Sequence, residues 1–358
     1  MIALALALLA QAADPPPPVW QGVWQGTIGA LPIRACLQRR TPDYAFGSYY
    51  YLSKLRSIRL DQQNGSTVWS EGEVSGRKPR WTFRNVGGAL LTGAWSDGAR
   101  TLPFRLTRLP GTDTDTGCGD ARYNAPRLRP VTVRSAPARQ DGIAYTKLSF
   151  DVGPGFDGVV IRTFALPGGD AATRRINARL RRGMTSDPRR GDWWECLAGS
   201  LDSHGSDGDY DDRIAPTLVT ARWVAAREGS GTECGGAHPN FGETSLTFDR
   251  RTGAEVDLHD WLNAGAVERD ASSEPAIVTI RPALRRAIIA HAGEMEPECR
   301  AAAQDEGFWD IGLARAGLRF TPFMPHVLTP CAEPVLVPWS ALRPFLGPAG
   351  RAGLATLR

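Results

Sequence analysis

The feature that most restricts the fold lies between Gly22 and Arg108, where turn residues cut the chain into eight successive runs of strand length. These are residues 22–29, 32–39, 47–53, 57–61, 67–71, 80–85, 89–95 and 101–108. Asn64-Gly65 is a hairpin signal, because both central positions of a type I′ turn need positive φ. Gly87-Gly88 and Asp97-Gly98 punctuate in the same way. No helical period interrupts the series. Strands at this spacing predict an antiparallel β meander that closes into a small barrel or a sandwich.

Beyond it the pattern changes. Residues 111–142 are rich in Gly, Pro, Thr and Arg and read as a boundary. The predicted organisation is an N-terminal β domain over 20–125, a linker over 126–142 and a second domain over 143–358. The second domain opens with strands at 144–152 and 159–166. Asp170 then caps a helix whose Ala172, Ile176 and Leu180 share a face, with Gly183 at its end. Further strands are expected at 218–226, 244–249, 318–321 and 335–337, and a short capped helix at 257–262. Pro282 suits the first position of another helix. Helices and strands mix without βαβ regularity, which gives an α+β class with a mainly antiparallel sheet and two or three helices. Gly153-Pro154-Gly155-Phe156-Asp157-Gly158 matches a dinucleotide loop by letter only. The β-branched run Val159-Val160-Ile161 follows it where a helix N-terminus is needed, so it reads as a turn.

Two features speak for export. Residues 2–10 form an unbroken apolar stretch, and Ala10-Gln11-Ala12 fits signal-peptidase specificity, so residues 1–12 read as a signal peptide. The stretch is shorter than a membrane span, and a stiff Pro-rich spacer follows over 13–19. The six cysteines, Cys36, Cys118, Cys196, Cys234, Cys299 and Cys331, contain no C-x-x-C. An even number in an exported chain suggests disulfides, and nearest-neighbour pairing gives Cys36–Cys118, Cys196–Cys234 and Cys299–Cys331. The expected location is periplasmic or secreted. Net charge is +4, with 39 of 42 basic residues being Arg. They are spread too evenly for a nucleic-acid footprint.

Catalytic signatures are scarce. There is no H-E-x-x-H and no G-x-S-x-G, and no cofactor or metal is expected. Asp207-x-Asp209-x-Asp211 resembles the start of a calcium loop, but Asp212 and Leu218 stand where that loop needs Gly and Glu. The acidic stretch around it, residues 201–213, reads as a solvated hairpin tip. Trp24, Trp69, Trp81 and Trp95 fall in the N-terminal strands with Tyr49, Tyr50 and Tyr51. Alternate rings fill the barrel interior, and the others can stack on a sugar or a partner. Tyr50 points opposite to Tyr49 and Tyr51, which are taken as candidate binding residues. The most distinctive string is Cys234-Gly235-Gly236-Ala237-His238-Pro239-Asn240. Its glycines permit positive φ, Pro239 fixes φ and Asn240 can close a turn, so Gly236, His238, Pro239 and Asn240 form a rigid candidate recognition tip.

This string, with Phe248-Asp249, Thr252-Gly253 and the 257–262 segment at their downstream spacing, resembles a bacterial extracytoplasmic domain family of unknown function. So does the ending Gly317-Leu318-Arg319-Phe320, Pro325-His326, Val337-Pro338-Trp339-Ser340 and Leu342. The segment from Leu148 to Leu180, with Ile176-Asn177, resembles the companion segment found upstream. The likeness covers about residues 143–346. That family occurs in RsiV-type lysozyme-sensing anti-sigma factors and beside PdaC-type peptidoglycan deacetylases. The sequence carries no anti-sigma segment or deacetylase motifs, so those activities do not transfer. The resemblance implies a non-catalytic envelope protein that binds a lysozyme-like protein or cell-wall glycan. The alternative is a cell-wall hydrolase, or an accessory domain of one, using His238 or His326 with acids such as Asp207 or Glu243.

Overall fold

A computed structural model describes residues 17–62, 65–72, 78–111 and 117–357. The signal peptide, most of the Pro-rich spacer and Asn64 lie outside the described residues. The chain divides into two compact units. The first holds the residues up to Leu128 with Pro154–Phe156 and Leu197–Gly208, and the second holds Arg129–Gly153, Asp157–Cys196 and the residues from Asp209 onward.

In the first unit, β1 (Gly22–Ile28), β2 (Leu31–Thr41), β3 (Tyr44–Tyr51), β4 (Ile58–Gln62), β5 (Val68–Glu71), β6 (Arg80–Val86), β7 (Leu90–Ser96) and β8 (Thr101–Arg108) form a closed barrel. Closure comes from β1 pairing antiparallel with both β2 and β8. Alternation along each strand sends Trp24, Tyr49, Trp69, Trp81, Phe83, Trp95 and Phe104 into one apolar core. Ring packs on ring there: Trp81 lies 4.8 Å from Phe104 and 4.9 Å from Tyr49. A carboxylate joins this core, since Glu71 accepts from Tyr49 Oη at 2.5 Å and from Trp95 Nε1 at 2.5 Å. Outside the barrel wall, α1 (Ala121–Asn124) brings Tyr123 over Tyr50, in a cluster that includes the Cys36–Cys118 disulfide.

The second unit is built on a sheet in the order β14-β13-β12-β11-β10-β9. Its strands are β9 (Thr132–Gln140), β10 (Ile143–Asp151), β11 (Val159–Ala165), β12 (Asp209–Val219), β13 (Trp223–Glu233) and β14 (Asn240–Asp249). All pairs are antiparallel except β11 with β12. Between those two in sequence come α2 (Ala171–Leu180) and α3 (Asp192–His204), of which the residues from Leu197 onward belong to the first unit. Asp170 caps α2, accepting from the Thr173 N–H at 2.9 Å. Ile176 and Leu180 pack with Phe164, Ile214, Leu246 and Phe248. Asn177 pins the end of β11 by bonding both the N–H and the carbonyl of Leu166.

A larger core joins Trp223 and Ala225 to the C-terminal elements. These are the hairpin β15 (Val267–Asp270) and β16 (Ile277–Ile280), then α4 (Pro282–His291) and α5 (Pro297–Asp305). The sheet of β17 (Trp309–Ala314), β18 (Gly317–Pro322) and β19 (Val335–Pro338) follows, with α6 (Trp339–Leu342) and α7 (Pro348–Ala355) last. The α+β class is therefore as expected, with more helical segments than the two or three anticipated.

Three local readings are corrected. Residues 132–140, expected within the linker, are strand β9. Its Pro137 and arginines mimic a loop, yet an edge strand accommodates Pro because one side needs no donor. Residues 218–226 are not one strand but the end of β12, the turn at 220–222 and the start of β13, the turn closed by Thr220 N–H to the Trp223 carbonyl at 2.8 Å. The acidic stretch 201–213 is not a hairpin tip. It is the end of α3 and the start of β12.

The disulfides pair Cys36 with Cys118, Cys196 with Cys234 and Cys299 with Cys331, as nearest-neighbour pairing predicts. Such bonds persist in an oxidising compartment, outside the reducing cytosol. Among the described residues no helix is long and apolar enough to cross a membrane.

Candidate functional site

Register fixes the recognition tip. β13 and β14 pair from Trp223 with Asp249 up to Thr232 with Asn240, so residues 233–239 form the hairpin loop. Gly235 takes a φ of 88°, the conformation its sequence suggested, and the Cys196–Cys234 disulfide ties the base of the loop to α3. Gly236, His238, Pro239 and Asn240 are all exposed. His326, from the turn after β18, joins them: its ring lies 4.0 Å from that of His238. His326 Nε2 donates to the Pro239 carbonyl at 3.0 Å, and His238 Nδ1 lies 3.3 Å from the same oxygen.

Beside the tip an open groove of about 500 Å³ runs over the sheet. Its floor is nearly bare backbone, Gly229-Ser230-Gly231 of β13, because strand alternation puts two glycines on that face. Asp209, Asp211 and Arg213 of β12 form one wall, and Phe241 and Glu243 of β14 the other. Phe241 is 65% exposed. Two ion pairs brace the walls, Arg213 with Asp211 and Arg227 with Glu243, each at 2.5 Å. Asp209 and Glu233 face each other directly across the two strands, with no ion-pair partner among the described residues.

The opposite side of β12 carries Asp212 and Tyr210. Burial pushes the Asp212 carboxyl up to about 6, reinforced by Glu228, Asp192 and Asp211 and opposed by Arg179. Burial likewise pushes the Tyr210 phenol up to about 12.

No protein-family model matches the chain, and no curated protein does. Solved structures similar to it include two of DUF3298 family proteins. One is a DUF3298 family protein from Pseudomonas aeruginosa, 14% identical, covering 62% of this chain and 96% of its own, with a TM-score of 0.34. The other is a DUF3298 family member from Bacteroides fragilis, 11% identical, covering 65% of this chain and 99% of its own, with a TM-score of 0.40.

Other sequence candidates sit elsewhere. Tyr49 is 1% exposed inside the barrel, where burial first and the Glu71 carboxylate second hold its phenol far above the ordinary value, so it presents no recognition surface. Tyr51 is half-buried with its ring edge against Tyr49. Closure of the barrel turned that phase of β3 inward. Tyr50, on the other phase, is covered by Tyr123 instead of facing solvent. Asp207 is held by Arg127 at 2.6 Å and Ser57 at 2.5 Å in the first unit, and Glu243 by Arg227. The residue the sequence reading missed is Phe241. Its signal was phase, since Leu246 and Phe248 set the buried parity of β14 and Phe241 is an aromatic on the other parity.

Proposed function

We propose that this chain is a non-catalytic exported protein of the cell envelope, periplasmic or secreted. Its ligand, a cell-wall glycan or a lysozyme-like protein, is engaged by the groove and the adjoining Gly236–Asn240 tip. The observation that carries the reading is the exposed Phe241 ring at an open groove with a backbone floor and carboxylates around it. A bare floor admits a broad ligand, an aromatic face stacks on a sugar ring or an apolar side chain, and carboxylates accept from hydroxyls or cations. A hydrolase built on His238 or His326 would want a carboxylate to orient the imidazole. The bonds of both rings go instead to the Pro239 carbonyl.

The test is retention of the full chain on immobilised lysozyme and on insoluble peptidoglycan. Retention on at least one is expected, weakened about tenfold or more by Phe241→Ala, as for an aromatic anchor. Retention on neither overturns the reading.

A further inference from the structure

The outer edge of β14 is half closed and half open, and the two halves can be told apart by parity. Asp249 N–H donates to the Ala254 carbonyl, and the Thr247 carbonyl accepts from Val256 N–H. Ser245 N–H donates to Asp310 Oδ1 at 3.0 Å. Residues 249, 247 and 245 therefore turn their backbone groups away from β13, and strand geometry makes Glu243 and Phe241 do the same. Those two have no backbone partner on that side among the described residues, and Asn240–Thr244 are all exposed. The opposite edge of the sheet is blunted. β9 carries Pro137, which has no N–H, and the charged Arg134 and Arg139. β14 has no Pro over its open half, and its one charged side chain there, Glu243, is neutralised by Arg227.

We propose that the open half of β14 is a docking edge for an extended segment of a partner polypeptide bearing basic side chains, which adds to the sheet as a further strand. This rests on the binding role assigned to the groove above and names the kind of ligand. Main-chain bonds to Phe241 and Glu243 supply the attachment, and alternate side chains of the incoming strand fall beside the Phe241 ring on the groove side.

Charge selects the occupant. The groove and its walls carry four carboxylates, Asp209, Asp211, Glu233 and Glu243, against two guanidiniums, Arg213 and Arg227. Asp211 and Glu243 are paired. Asp209 and Glu233 stand opposite one another as like charges with no ion-pair partner among the described residues, so the groove carries a negative surplus. A Lys or Arg side chain of the added strand falls beside Phe241 and Glu243, within the field of this carboxylate surplus, which favours it over an acidic side chain.

The experiment measures fluorescence anisotropy of a labelled seven-residue peptide alternating Lys and Val, titrated with the full oxidised chain. Saturable binding is expected. Methylating alternate backbone nitrogens of the peptide, replacing its Lys by Glu, or introducing Glu243→Pro, which deletes one outward N–H, should each weaken binding about tenfold or more. The methylated peptide leaves the protein untouched, so a folding defect in Glu243→Pro cannot decide the result. Absence of peptide binding, or equal binding of the methylated peptide, overturns the inference. If that occurs while chitotetraose or peptidoglycan still binds in a Phe241-dependent manner, the groove is a glycan site and the binding role survives. If peptide, lysozyme and peptidoglycan all fail, the binding role falls too.

Discussion

Arg127 is a fully buried cation whose three guanidinium nitrogens all donate within the first unit. Its Nε donates to the Leu55 carbonyl at 3.0 Å, Nη1 to Asn124 Oδ1 at 3.1 Å, and Nη2 to the Gly155 carbonyl at 2.7 Å and Asp207 Oδ2 at 2.6 Å. Its guanidinium also lies 4.3 Å from the centre of the Phe156 ring. One planar fork thus holds three chain segments that are distant in sequence. Arg127→Ala strands a carboxylate and two carbonyls, and the first unit should lose about 3–5 kcal/mol, read as a lower urea midpoint in tryptophan fluorescence. Arg127→Lys should recover only part of that, since an ammonium cannot reproduce the fork. Asp212 behaves in the opposite sense. Its folded pKa of about 6 stands above the ordinary carboxylate value. Its contribution is therefore fully present below about pH 4 and is lost as pH rises through about 6. Asp212→Asn should stabilise the second unit at pH 8 by about 1 kcal/mol, a figure reduced for solvent screening, and should flatten the melting temperature between pH 5 and pH 8.

At the scale of elements, the barrel depends on close crossings that admit no side chain. A Cβ on Gly93 of β7 would stand 2.1 Å from the Thr82 carbonyl and 2.4 Å from the Phe104 ring. Gly93→Ala should cost the barrel about 1–3 kcal/mol in chemical denaturation, by forcing β6 and β8 apart. The barrel strands were legible because turn residues and alternation coincide there. α2 and α4 were legible through Asp170 and Pro282 at their starts. β12 was hidden because its first half, Asp209 to Arg213, is charged on both faces, one side lining the groove and the other meeting Arg179 and Glu228. α3 does repeat Trp193, Leu197 and Leu201 at helical spacing, yet Gly199 and the acidic stretch after it masked the period. The candidate site was half legible. The glycine-rich tip is written in consecutive residues, whereas the groove arises from register between β12, β13 and β14, and the meeting of His238 with His326 needs the tertiary fold.

For the whole molecule, covalent cross-links decide where the chain can be stable. Each bridge joins two cysteines of the same unit: 82 residues separate Cys36 from Cys118, against 38 and 32 for the other pairs. Loop-closure entropy assigns roughly 4.5 kcal/mol to the first and roughly 3.7–3.9 kcal/mol to each of the others. Native stabilities of ordinary domains are about 5–15 kcal/mol, so losing one bridge removes a large share of a unit's stability. The Cys36–Cys118 sulfurs are buried between the barrel wall and Tyr123, so their replacement also disturbs packing there. The double replacement Cys36→Ser with Cys118→Ser should therefore lower the urea midpoint reported by the barrel tryptophans more than the same change at Cys299 and Cys331 lowers that of the second unit. Chain recovered from the periplasm should give no reaction with a thiol-specific label until a reductant is added. Chain held in a reducing cytosol should label at six positions and unfold at a lower urea concentration. Free thiols in the exported, folded protein would remove the link between compartment and stability.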